Sequence, residues 1–213
     1  MSLTIGIPVY NEEKTLIKTL DSVVNSCQCL NANIVLCFNG TTDNGINLAK
    51  KYNKFPLEII SSSKDKPSAV KKIAEHNTSE FLIFVDADVI VDKNCFTNIH
   101  KAFKENIIAV AGQPIPYKSN NATYKIINAR MLNPYLEISL DGSPKEFLHG
   151  RVYGIRKKIL DEISKNFSKS MGDDTFLSHY ILLNYGRDAI AHVNDANVFY
   201  QPVTSIKSWR HCS

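Results

Sequence analysis

The chain has 213 residues, 44% of them hydrophobic and 22% charged, with a net charge of +4. This is enough for one domain with a real core, and residues 1–213 are read as a single unit. The mild positive charge fits an anionic small molecule or a weak attraction to acidic membrane surfaces, and it excludes the dense basic stripe that nucleic-acid binding requires.

The first half alternates between apolar runs and helical patterns. "LTIGIPV" (3–9) predicts a strand, and residues 11–26 a helix with Asn11 as its N-cap. Leu16, Leu20, Val23 and Val24 recur on one face of that helix. "NIVLCF" (33–38) is a second strand, followed by the loop "NGTTDNG" and a helix through "INLAKKY". "LEIIS" (57–61) is a third strand, and Ser68 is the expected cap of the helix "AVKKIAEHN". "FLIFV" (81–85) is a fourth strand, 94–106 a helix and 107–112 a fifth strand. Strands that are apolar throughout are buried on both faces, and with helices between them they imply a mostly parallel α/β sheet. Ligands of such sheets bind beyond the carboxyl ends of the strands. "YNEE", "NGTTD", "SKDKP" and "DAD" each follow a strand, so all should converge on one edge.

The second half is less regular. Residues 113–147 contain four prolines and read as an irregular segment over that same edge, with one helix through "TYKIINARML". "FLHGRVYGI" (147–155) is extended, "RKKILDEIS" helical, and "GDDTFLSHYILLNYG" a helix with Asp173 at its cap and Gly186 past its end. "DAIAHV" and "NVFYQPV" are late strands.

Four stretches carry chemistry, and each also has an ordinary structural reading. Asp86 and Asp88, in "DAD" at a strand end, suit a hard divalent ion such as Mg²⁺ or Mn²⁺, or are turn aspartates. In "PVYNEE", Tyr10 offers a face for a base and Glu12 an acceptor, or the stretch is a helix cap. Lys64 and Lys66 of "KDKP" suit phosphate, or belong to a solvated loop. Asp173 and Asp174 open a helix, where one caps it and the other is free to act as a general base.

Taken in order over residues 3–209, these pieces resemble the inverting nucleotide-sugar glycosyltransferases of family 2, which have the GT-A fold. "IPVYNEE", "NGTTD", "DKPSAVKK", "DAD", "GRVYGIRKK" and "GDDTFL" stand in the family's order. The resemblance implies a Rossmann-like domain with a nucleotide-sugar-binding half (1–112) and an acceptor-binding, catalytic half (113–213). It implies that Pro8, Tyr10 and Glu12 line the base and ribose pocket. Asn39 stands where the family has an Asp that binds uracil, which leaves the base open. Lys66 would lie near the nucleotide or its phosphates, Asp86 at the ribose or donor sugar, and Asp88 at the Mg²⁺ or Mn²⁺ on the diphosphate. Gly150, and Gly154 ahead of Arg156, would shape the sugar and acceptor side. Asp174 would be the base, and Asp173, where the family has Glu, mainly a cap. The activity implied is metal-dependent transfer from a nucleoside diphosphate-sugar, a UDP-sugar first, to a saccharide or lipid-linked acceptor. Two rivals are a nucleotide-sugar-binding module without activity and a sugar-phosphate nucleotidyltransferase, although the latter's Gly-rich first loop is missing.

The five cysteines are odd in number and irregularly spaced, without a paired zinc pattern. No apolar stretch reaches the roughly 18–20 residues of a membrane span, and no signal-peptide pattern is present. The expected location is the cytoplasm. "VTSIKSWRHCS" resembles the segment that leads, in longer family members, into Gln-x-x-Arg-Trp and then membrane helices, with His211 at the Gln position. The expectation is that the full protein continues beyond it, held at the cytosolic face of a membrane.

Overall fold

The computed structural model describes residues 3–76, 78–117, 147–163 and 172–202. The expected helix through "TYKIINARML" and the segment "VTSIKSWRHCS" lie outside these residues.

The apolar runs form the strands that their composition requires. β1 (Leu3–Val9) is buried at every position, as is β4 (Phe81–Val85). Their side chains alternate between two core layers. Leu3, Ile5, Ile7 and Val9 pack with α1 (Leu16–Cys27) and α4 (Cys95–Ala102). Leu82 and Phe84 face the other way, toward α3 (Lys66–His76), α5 (Lys157–Ile163) and α6 (Asp173–Tyr185). A strand between two helical layers has no wet face, which is why these runs do not alternate in polarity.

With β2 (Ala32–Asn39), β3 (Leu57–Ser62), β5 (Val89–Val91), β6 (Ala109–Pro116), β7 (Val152–Arg156) and β8 (Ile190–Tyr200), they form one sheet of order β3-β2-β1-β4-β7-β6-β8-β5. β3, β2, β1 and β4 are parallel neighbours. β7 runs antiparallel between β4 and β6, β8 is parallel to β6, and β5 is antiparallel to β8. Followed ladder by ladder, six strands run one way and β7 and β5 the other. The amino end of β7 therefore lies at the same edge as the carboxyl ends of β1, β2, β3 and β4.

Several boundaries differ from expectation for local reasons. α1 starts at Leu16 rather than Asn11, because Asn11 is left-handed (φ 55°) and its side chain reaches to the next loop. The cap of α3 is Asp65, whose Oδ1 accepts the Ser68 amide at 2.7 Å, so Ser68 is already helical. α4 stops at Ala102, and β6 extends through Gln113 to Pro116, into the segment expected to be irregular. α2 (Gly45–Lys51) follows β2. The two late strands are one, β8. Its polar break is an irregularity: Ala111 pairs with His192 but Gln113 with Asn197, so β8 carries extra residues there. Gly186 follows α6 with φ 81°, a conformation that glycine adopts without Cβ strain.

Candidate active site

Pro8, Tyr10, Glu12, Asn39, Lys66, Asp86, Ala87 and Asp88 line one cleft of about 220 Å³ at that edge. The cleft thus gathers every residue that the sequence reading placed at the donor. Its outer wall is two loops tied together. Asn11 Oδ1 accepts from the Thr42 and Asp43 amides at 2.8 and 3.3 Å, and Asp43 Oδ2 accepts from the Glu13 amide at 2.8 Å. The Thr41 hydroxyl donates to the Val9 carbonyl. Asn11 is therefore a loop clasp, not a helix cap. Gly40, at φ 75°, lets the β2 loop pass Lys64, whose Cβ lies 2.8 Å from where a Cβ on Gly40 would stand.

Tyr10 is 40% exposed, with the Lys64 ammonium 5.2 Å over its ring. The Thr15 hydroxyl donates to Glu12 Oε2 at 2.7 Å. Burial raises the Glu12 pKa; the Thr15 bond opposes this, and the charges of Asp88, Asp86 and Asp43 add to the rise. Asn39 is only 6% exposed, and among the described residues its Oδ1 has no hydrogen-bond partner. A buried acceptor without a donor costs about 1–3 kcal/mol, so the cleft wall holds a group suited to an N–H from a ligand.

The "DAD" turn is pinned through its backbone. The Thr19 hydroxyl donates to the Ala87 carbonyl at 2.9 Å, and the Asp86 amide donates to the Arg151 carbonyl at 3.1 Å. Asp86 is half-buried against Lys66, whereas Asp88 is exposed in the cleft. Surrounding protein still removes part of Asp88's hydration. Its pKa rises from this and from the Asp86 charge, with Arg151 pulling the other way. Among the described residues no cluster of three or more His, Cys, Asp or Glu forms a metal cage. The exposed Asp88 carboxylate, with Asp86 beside it, fits an ion that takes its remaining oxygens from a substrate's phosphates and water.

Lys66 joins this cleft to the other half of the edge. Its ammonium donates to Asp86 Oδ1 at 2.6 Å and to the Gly150 carbonyl at 2.9 Å, and lies 3.7 Å from Asp173 Oδ1. Burial alone would pull the Lys66 pKa down, but Asp173, Asp86 and Asp174 reverse this, so the ammonium stays charged.

Asp173 is not the cap of α6. It is 3% exposed, accepts a 2.7 Å hydrogen bond from the Tyr153 hydroxyl and lies under the site. Gly172 holds the N-cap position, without a side-chain cap. Burial raises the Asp173 pKa against the pull of Lys66, and Asp174 adds to the rise. Asp174 is half-buried at the surface of the site. Its Oδ2 accepts the Gly150 amide at 2.8 Å and its Oδ1 the Thr175 amide at 2.8 Å. A Cβ on Gly150 would stand 2.8 Å from Asp174 Oδ2, so this approach needs glycine.

Gly154 and Arg156 are not at this site. Gly154 pairs with Ile83 in mid-sheet, and a Cβ there would meet Ile99 at 2.7 Å. Arg156 lies at the opposite edge, bonded to Glu80 and to the carbonyls of Ile107 and Lys104. Each residue advances β7 by one strand step, so Arg156 is carried away from an edge that Gly150 adjoins.

The structure adds three residues that the sequence reading missed. Tyr153 holds Asp173. His149 is held neutral, its pKa lowered to about 4 by burial and then by Arg151, against Asp174 and Asp86. The Arg151 guanidinium lies 3.7 Å over the Tyr200 ring. The available signal was "HGR": a titratable and a basic residue flanking a glycine already assigned to the site.

A family model, Glycosyl transferase family 2, matches residues 4–164. The chain belongs to this family, and its fold is GT-A. Solved structures agree on the fold. A mannosyltransferase from Pyrobaculum calidifontis, in complex with GDP-Man and Mn²⁺, superposes with a TM-score of 0.71 at 16% identity, covering 98% of this chain and 59% of that one. Glucosyl-3-phosphoglycerate synthase from Mycobacterium tuberculosis, in complex with UDP, gives 0.69 at 18% identity, covering 98% and 74%. Another structure of that synthase holds Mn²⁺, UDP-glucose and phosphoglyceric acid; it gives 0.66 at 16% identity, covering 99% and 74%. Among curated proteins, the minor teichoic acid biosynthesis protein GgaA of Bacillus subtilis is 25% identical over 93% of this chain and 46% of its own length. A poly(ribitol-phosphate) beta-glucosyltransferase of Bacillus spizizenii is 23% identical over 62% of this chain and 24% of its own. The chain thus spans less than half the length of these two curated relatives. No helix among the described residues is long and apolar enough to cross a membrane.

Proposed function

We propose that the chain transfers a sugar from a nucleoside diphosphate-sugar to an acceptor hydroxyl, with inversion, using Asp174 as the base. The observation that carries this reading is the bonded path from the donor carboxylates to that base. Asp86 holds Lys66, Lys66 holds the Gly150 carbonyl, and the Gly150 amide holds Asp174, each link at 2.6–2.9 Å. The path fixes Asp174 relative to the cleft in which a donor would sit, which is the positioning that a direct displacement needs.

Tyr10 would stack on the base, and Asn39 Oδ1 would accept a ring N–H. Uracil and guanine both offer one, and UDP is the first choice because the family position occupied by Asn39 reads uracil. Asp88 would hold Mg²⁺ or Mn²⁺, with Asp86 beside it at the ribose or donor sugar. Such an ion, when bound, offsets charge on the leaving diphosphate. Asp174 accepts the acceptor's hydroxyl proton as its oxygen bonds to the anomeric carbon. The bond to the diphosphate oxygen breaks on the opposite face, and the diphosphate leaves with the electron pair. No residue becomes covalently attached. Asp173, buried under Tyr153, is poorly placed to meet a hydroxyl. The name of one curated relative, the poly(ribitol-phosphate) beta-glucosyltransferase, makes a polyol phosphate the acceptor class to test first. A lipid-linked acceptor would put the chain at the cytosolic face of a membrane.

Calorimetry with UDP, GDP and their glucose and mannose conjugates, with and without Mn²⁺, tests the donor half. One nucleotide should bind clearly tighter with Mn²⁺, and Asp88→Ala should remove that gain while leaving the fold intact. Equal affinity in Asp88→Ala and wild type, with Mn²⁺ present, would count decisively against the metal assignment.

A further inference from the structure

The site contains two cations with different duties. The Lys66 ammonium gives two of its three protons to protein acceptors, Asp86 and the Gly150 carbonyl, and lies 3.7 Å from Asp173. Most of its donor capacity is thus used within the protein. Arg151 is the opposite case. Its guanidinium is held flat on the Tyr200 ring, 3.7 Å away, and among the described residues no hydrogen bond or ion pair within 4 Å uses its five donors. Stacking occupies the face of a guanidinium and leaves its edge, the part that forks onto an oxyanion. Arg151 is only half-buried, so that edge is reachable.

Its place in the chain says which anion. Arg151 follows Gly150, whose amide holds Asp174. It does not line the cleft of Tyr10, Asn39 and Asp86 in which the donor is proposed to sit. Arg151 thus adjoins the residue that positions the base and does not line the donor cleft, although its charge also reaches Asp88. The acceptor is the anion this placement favours, and the donor diphosphate is the rival that the UDP arm of the test separates.

We propose that Arg151 binds a phosphate on the acceptor and so selects phosphorylated polyols over neutral ones. This rests on the reading of Asp174 as the base and deepens it. Tyr200 fixes the fork's direction.

The test is binding by the full chain of ribitol 5-phosphate and of ribitol, each with UDP and Mn²⁺ saturating, in wild type, Arg151→Gln and Arg151→Lys. Wild type should bind ribitol 5-phosphate at least tenfold more tightly than ribitol. Arg151→Gln should abolish that preference, Arg151→Lys should keep part of it, and UDP affinity should change less than threefold in both. The proposal is overturned if wild type shows no preference, or if Arg151→Gln keeps it. It is equally overturned if Arg151→Gln weakens UDP as much as ribitol 5-phosphate, because the guanidinium then serves the donor. Thermal melts of both variants show whether they remain folded, and Arg151→Lys, which keeps the charge over Tyr200, preserves a readable variant if Arg151→Gln does not. Failure of wild type to bind UDP with Mn²⁺ sinks the donor reading instead, and the same comparison is then read with the two polyols alone.

Discussion

The two sides of the proposed catalytic edge, donor and base, are built differently. On the donor side, the loops after β1 and β2 are tied by exposed bonds around Asn11, Glu13 and Asp43, and Tyr10 and Asp88 in the cleft are exposed to solvent. On the base side the holding is done by a buried carboxylate and hydroxyl, Asp173 and Tyr153, with the half-buried Lys66 beside them. Exposed ties are worth little each and can yield to a ligand. A buried network is stable only when complete, because each unpaired member bears its full desolvation cost. The donor side is therefore the adaptable half, and the base side is the rigid half that keeps Asp174 in place.

The sharpest break in that contrast is kinetic. Asp174→Asn keeps shape and removes basicity, so kcat should fall by at least the roughly 10²-fold expected of a lost general base, while donor affinity stays nearly unchanged. Asp173→Asn should act mainly through stability. Greater kinetic damage from Asp173→Asn at equal stability would show that the two roles are reversed.

The next largest effect is thermodynamic. Lys66→Met strands the Asp173 and Asp86 carboxylates. Breaking a buried pair costs about 3–5 kcal/mol, and this case should fall near the lower end because Lys66 is 31% exposed. Asn11→Gly, which cuts an exposed tie at a residue whose φ of 55° suits glycine, should cost about 1 kcal/mol or less. Urea titrations of both variants compare the two sides directly. Equal losses would erase the distinction between them.

The remaining effect is in pH dependence. His149 has a folded pKa of about 4 against an ordinary 6.5. The unfolded chain takes up this proton first, so the contribution of neutral His149 is complete above pH 6.5 and is lost as pH falls toward 4. Asp173, whose folded pKa is raised, works in the opposite sense, gaining stability as pH falls. His149→Gln should therefore flatten the loss of stability between pH 6.5 and 4. An unchanged slope in thermal melts across that range would show that the fold does not hold His149 neutral.

The same division governs what could be read from the chain alone. Each donor-side residue sits at, or a few positions after, the end of its own strand. Parallel packing brings strand ends together, so "PVYNEE", "NGTTD" and "DAD" could be placed at one edge without coordinates. α1, by contrast, starts late, because whether Asn11 caps a helix or clasps a loop depends on residues 42 and 43, which local sequence does not bring near. The base side was harder for the same reason. "FLHGRVYGI" is visibly extended, but its direction is not, and only an antiparallel β7 delivers His149, Gly150 and Arg151 to the edge while sending Arg156 to the other end. "GDDTF" announces two acids at a helix start. Which one is buried under Tyr153 and which meets solvent is decided by the packing of α6 on β7. Composition, strand polarity and motif order determined the fold, the family and which residues line the proposed donor cleft, because these follow from local pattern and from the single direction of a parallel sheet. The partners of Lys66, the roles of the paired aspartates and the free edge of Arg151 were decided by tertiary structure, because a charge's function depends on which opposite charge reaches it first.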